Sequence, residues 1–115
     1  MEFDSFTLVL LVAGPNAEKI EPRELDALQD AHMDNLATLH ESGMLQAAGP
    51  IVDPPGARFR GLSVHRLPPD QVRAFYEKDP SVRGGRLTPQ IFTWMVPKGA
   101  ISFSPTRFPH SQAEL

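Results

Sequence analysis

The sequence predicts one α+β domain of β-α-β-β-α-β order, with a four-stranded antiparallel sheet and two helices on one of its faces. Three observations lead to this class. Two segments carry apolar residues at helical spacing, four shorter runs have strand composition and are bounded by Gly, Pro or Asp, and the chain divides into two β-α-β halves of similar size. At 115 residues the chain holds one real core and is too short for two ordinary domains.

Phe6 to Ala13 is rich in Leu, Val, Phe and Thr, has strand length, and is closed by Gly14-Pro15. Pro22 suits the first turn of a helix, Glu24 and Asp26 suit its positive end, and Gly43 suits the position past its C-terminus, which predicts a helix over 22–42. Leu45 to Pro50 reads as a short strand, and Asp53-Pro54-Pro55-Gly56 is turn chemistry. Arg58 to Arg66 follows as a third strand. Pro68-Pro69-Asp70 opens a second helix that ends near Asp79 because Pro80 stops it, Gly84-Gly85 breaks the chain, and Ile91 to Val96 supplies the last strand. Two interlocked β-α-β halves are the split pattern of a ferredoxin-like sheet. Residues 1–97 form this domain, and residues 98–115, with Pro105 and Pro109, read as a C-terminal tail or an arm for a partner.

The first and last strands are apolar on both faces instead of alternating. Two helices cover only one face of the sheet, so the opposite face is expected to be buried in a homodimer. The alternative is that the tail folds back over it.

Composition removes several classes of function. The net charge of −3 opposes a nucleic-acid grip built on phosphate neutralisation, although Arg58, Arg60, Arg83 and Arg86 leave room for a local anion site. Cysteine is absent, which excludes disulfides, thiolate metal sites and thiol nucleophiles. The apolar run at the start follows Glu2 and Asp4 rather than basic residues and is too short to span a bilayer, so a cytoplasmic protein with no membrane partner is expected. HExxH, G-x-S-x-G, P-loop and dinucleotide-binding patterns are missing, and His65 and His110 have no neighbour at ligand spacing; neither metal nor cofactor is expected.

Two residues break the apolar pattern. Leu25, Leu28, Leu36 and Leu39 fall within a sector of roughly 80° on the first helix, and His32 projects near its centre. Imidazole there forgoes about 1.5–3 kcal/mol of apolar burial. On the second helix Val72, Phe75 and Tyr76 make the buried face, and Asp79 occupies the i+7 position, with its carboxylate expected at the rim of that face. The plainer reading makes His32 a satisfied core histidine and Asp79 a helix-terminal residue bonded to the next loop. His40 lies off the stripe and reads as a rim residue, and Trp94 as core or dimer interface.

Four stretches, in order and spacing, resemble the YCII (YciI-like) family of dimeric α+β barrel proteins. They are Leu8-Val9-Leu10-Leu11 running into Gly14-Pro15, His32-Met33-Asp34-Asn35-Leu36, Ala47-Ala48-Gly49-Pro50, and Asp79-Pro80-Ser81-Val82-Arg83-Gly84-Gly85. The resemblance implies ferredoxin-like subunits paired as a homodimer, and an active-site dyad of His32 and Asp79. It also implies an ill-defined chemistry, from proteins without an assigned reaction to dehydrochlorinases and muconolactone-isomerase-like enzymes acting on small acidic ring or diene compounds.

A His–Asp pair without a nucleophile suits proton transfer, the carboxylate fixing the tautomer while the free nitrogen exchanges a proton. Isomerisation or elimination on a small organic acid is the expected reaction, with Arg83 and Arg86 as candidate anchors for a substrate carboxylate and Gly49 and Pro50 as further contacts. A non-catalytic ligand-binding or regulatory dimer is the competing class. By fold analogy alone, a cofactor-free monooxygenase is a third.

Overall fold

The computed structural model describes residues 1–115. The long strand β1 (Phe3–Ala13) occupies the middle of the sheet, which is why its apolar residues point to both faces. It pairs antiparallel with β3 (Phe59–His65) on one side and with β4 (Leu87–Pro97) on the other, and β2 (Ala47–Pro50) pairs antiparallel with β3. The order β2-β3-β1-β4 makes one four-stranded antiparallel sheet. Helix α1 spans Pro22–Glu41 and α2 spans Pro69–Glu77, each opened by a proline in its first turn, where a missing N–H costs nothing.

A third helix, absent from the sequence reading, follows at once: α3 is the single turn Pro80–Arg83. Helix α2 ends two residues before Asp79, close to the end the sequence predicts, and the chain restarts behind a new N-cap at Asp79. Strand β4 starts at Leu87 rather than Ile91, because all of it pairs with β1 from Ala13↔Leu87 to Phe3↔Pro97. Pro89 is tolerated there since β4 is an edge strand. β2 starts at Ala47, and Leu45 is a buried core residue instead.

The core lies between the sheet and the helices. Val9, Leu11 and Leu87 meet Val72 and Tyr76 of α2, with Leu36, Phe75, Val82 and Ile91 packed around them. The other face of the sheet carries Leu8 beside Phe92, Leu10 beside Leu62, and Phe6 beside Trp94. Leu62, Phe92 and Trp94 are 40–49% exposed, so Trp94 is not a core residue of the subunit. The tail covers only one corner of this face: Phe103 meets Phe6 edge-on at 5.5 Å, and the Arg66 guanidinium lies 5.3 Å from the Phe6 centroid. Beyond that corner it runs along α1 of its own chain. No helix is long and apolar enough to cross a membrane.

Candidate active site

Between α1, the helix-side surface of β1 and β3, and the tail lies a cavity of about 520 Å³. Leu11, Gly61 and Ser63 line its sheet side, and Gln29, His32, Met33 and Leu36 its α1 side. Gly49, Pro50, Arg60 and Arg86 also line it, and Thr106 to Pro109 close it from the tail.

His32 is on the inward stripe of α1 and is 7% exposed. Its Nδ1 lies 2.9 Å from Asp79 Oδ1. Asp79 is fully buried rather than at a rim, because it is the N-cap of α3: its Oδ2 accepts the backbone N–H groups of Ser81 at 3.0 Å and Val82 at 3.3 Å. Pro80 at the first helical position has no N–H to satisfy, so two donors complete the cap. Asn35, one turn beyond His32 on α1, donates its Nδ2 to Asp79 Oδ1 at 3.0 Å. A carboxylate ringed by amide donors leaves Nδ1–H of His32 as the donor in their contact. His32 Nε2, without a protein partner, keeps its lone pair for the cavity.

Helix α3 is held to α1 by Ser81, whose Oγ donates to the Leu28 carbonyl at 3.1 Å and accepts from Arg86 Nη1 at 3.0 Å. This places the Arg86 guanidinium at the cavity wall. Burial lowers its pKa, and neighbouring Arg60 pushes the same way against Asp79, which raises it. A partly desolvated Arg86 with the exposed Arg60 on the same cavity lining favours an anion beside them. Arg60 is itself tied to the Ala57 carbonyl. Arg83 is exposed and lines no part of the cavity: it sits on the outer side of the α3 turn, and only Arg86, at the entry to β4, reaches the site.

The structure therefore brings His32, Asp79, Arg86, Gly49 and Pro50 to one place and leaves Arg83 outside. Sequence reasoning missed three contributors. Asn35 had a legible signal, its i+3 spacing from His32; Ser81 had a weak one, following Asp79-Pro80; the tail had none. His65, for which the sequence offers no neighbour at metal-ligand spacing, is fully buried: its Nδ1 donates to the Met44 carbonyl at 2.6 Å and its Nε2 accepts the Tyr76 hydroxyl at 2.8 Å. His40 donates from Nδ1 to the Leu45 carbonyl at 2.7 Å and faces the tail with Nε2.

Among solved structures, the chain is similar to a 5-chloro-2-hydroxyhydroquinone dehydrochlorinase from Burkholderia phenoliruptrix AC1100, determined in complex with 2,5-dihydroxybenzoquinone. The TM-score is 0.55 at 18% identity, over 77% of this chain and 92% of that one, a likeness of fold. No curated protein matches. The model of the YCII-related domain matches residues 6–94, which hold the whole sheet core together with His32 and Asp79. The chain belongs to the YCII-related domain family.

Proposed function

We propose that this protein catalyses proton transfer on a small anionic organic acid or phenol without a bound cofactor, with His32 as the base and Asp79 as the residue that orients it. The observation that carries the reading is the asymmetry of His32: one nitrogen is tied to a buried, multiply hydrogen-bonded carboxylate and the other is open to a cavity. That arrangement holds an imidazole in one tautomer and leaves its other nitrogen free to take a proton.

In the reaction, Nε2 takes the proton from a carbon next to a carbonyl, and the C–H electron pair becomes an enolate. Arg86 and Arg60 face the developing negative charge across the cavity wall. The enolate then collapses in one of two ways. It expels a leaving group from the adjacent or conjugated carbon, which is elimination, or it takes the proton back from His32 at a different carbon, which is isomerisation. The similar structure is that of a dehydrochlorinase, so the first elimination to try is loss of chloride from the diketo tautomer of a chlorinated hydroquinone, in which a ring C–H lies next to a carbonyl and the chloride is on the adjacent carbon. A homodimer formed through the exposed face of Leu62, Phe92 and Trp94 belongs to this reading.

The test follows solvent deuterium into a panel of enolisable oxo-acids and chlorinated hydroquinones by proton NMR in deuterium oxide, together with chloride release. The wild type is expected to turn over at least one compound, and His32→Gln to lower that rate by about 10²-fold or more. An inert wild type that is nonetheless stabilised by these compounds would establish the binding-module reading instead, and unchanged turnover in His32→Gln would remove His32 from the mechanism.

A further inference from the structure

The segment after β4 lies outside the residues matched to the family, yet Thr106, Arg107, Phe108 and Pro109 form part of the cavity wall. Almost everything that seats it is on α1. Thr106 donates its backbone N–H to His40 Nε2 at 3.1 Å, and Phe108 stacks on the His40 ring at 4.0 Å between centroids. Gln112 donates its backbone N–H to Asp30 Oδ1 at 2.8 Å. His110 sits between two carboxylates, with Nδ1 2.6 Å from Asp34 Oδ1 and Nε2 2.7 Å from Glu41 Oε1.

Asp30, Asp34 and Glu41 are spaced i, i+4 and i+11, a single stripe of a helix, so α1 offers the segment one acidic rail. A neutral imidazole has one N–H, and only imidazolium donates to both carboxylates at once. The contact is therefore specific to the protonated ring. Apart from Phe108 and Phe103, the seat is polar and exposed, and such contacts hold weakly.

We propose that residues 101–115 are a lid over the ligand cavity, in which Thr106 and Phe108 limit the size of the ligand admitted and His110, clasped by Asp34 and Glu41, is the latch. The lid rests on the reading of the cavity as a ligand site, and its opening is observable without turnover. The two carboxylates, Asp34 first, raise the His110 pKa above 6.5. The closed-state contribution of the latch is thus complete below that value and is lost as pH rises through the raised one. The other charged groups at the seat are Asp30, Glu114, which accepts the His110 backbone N–H, and Arg107, which pairs with Glu114. His40 acts in the opposite sense, because a proton on its Nε2 removes the acceptor for Thr106.

The experiment uses the full chain and two readouts between about pH 6 and pH 9. Hydrogen–deuterium exchange of peptides covering residues 101–112, corrected for intrinsic rates, reports opening, and stopped-flow association of 8-anilinonaphthalene-1-sulfonate reports access. In the wild type, opening is expected to rise with pH by up to about tenfold per pH unit, the limit for one released proton, with dye entry following. His110→Gln and the pair Asp34→Asn, Glu41→Gln are expected to be open at the low end of this range and to lose the rise of opening with pH, with β1 exchange unchanged. Equal protection of the segment in wild type and His110→Gln would overturn the latch, and dye entry indifferent to opening would overturn the lid. Failure of the catalytic reading alters neither measurement.

Discussion

Replacing Asp79 by Asn exchanges one carboxylate oxygen for an NH₂ group inside a site where every neighbour donates. The remaining carbonyl oxygen still caps α3, because Asn is as good an N-cap as Asp, so the bonds to Ser81 and Val82 survive. On the other side the new NH₂ faces the His32 Nδ1–H and the Asn35 Nδ2–H, and two hydrogen bonds to a charged acceptor are lost. Two such bonds at about 1.5–3 kcal/mol each sum to roughly 3–6 kcal/mol, and the range for breaking a buried pair narrows the expected loss of stability to about 3–5 kcal/mol. With an unfolding entropy of about 2.1 cal/mol/K per residue, that corresponds to a drop of roughly 12–20 °C in melting temperature.

The assay is equilibrium unfolding in urea followed by far-ultraviolet circular dichroism. His32→Leu is the informative partner: it leaves Asp79 with its three amide donors and restores the apolar stripe of α1. Its cost is expected to be smaller, and the two changes are expected to couple by about 1–2 kcal/mol in a double-mutant cycle. If Asp79→Asn lost less than about 1 kcal/mol, as a surface substitution does, the carboxylate would not be the buried hub described here.

Two further outcomes concern packing and pH. Gly14→Ala would place its Cβ against the Gly85 carbonyl and within 2.9 Å of the Arg86 carbonyl carbon, backbone that has little room to move. A loss of about 1–3 kcal/mol in urea unfolding is expected, and a neutral result would mean that the turn before β4 yields more than its hydrogen bonds from Gly14 and Asn16 suggest. Burial lowers the His65 pKa against the opposing pull of the Met44 carbonyl. The unfolded chain therefore binds the extra proton first, and the stability His65 contributes is complete above about 6.5 and declines as pH falls from there through the lowered folded value. Stability measured between pH 7 and pH 5 is expected to fall less steeply in His65→Gln than in the wild type, and parallel slopes would contradict the assignment.

The order of the four strands and the two longer helices, the apolar stripe of α1 with His32 at its centre, and the double-sided apolar character of the central strand were all legible in the sequence. Each of these is local: a period of 3.6 or 2 and the turn chemistry of Gly and Pro are written within a dozen residues. Asp79 was legible as an anomaly beside Pro80, but its burial was not. That depends on α3 forming as a separate turn and docking through Ser81 onto the Leu28 carbonyl, a contact spanning 53 residues. Arg83 and Arg86 are equivalent in composition and three residues apart, and only the tertiary structure separates them. One stays on the outer side of the α3 turn, while the other lies where the chain enters β4 and turns inward. The place of the tail was least legible of all. Its residues carry no periodicity, and its seat is defined by hydrogen bonds to side chains 66 to 82 residues away, partners that become neighbours only after the sheet and α1 have assembled.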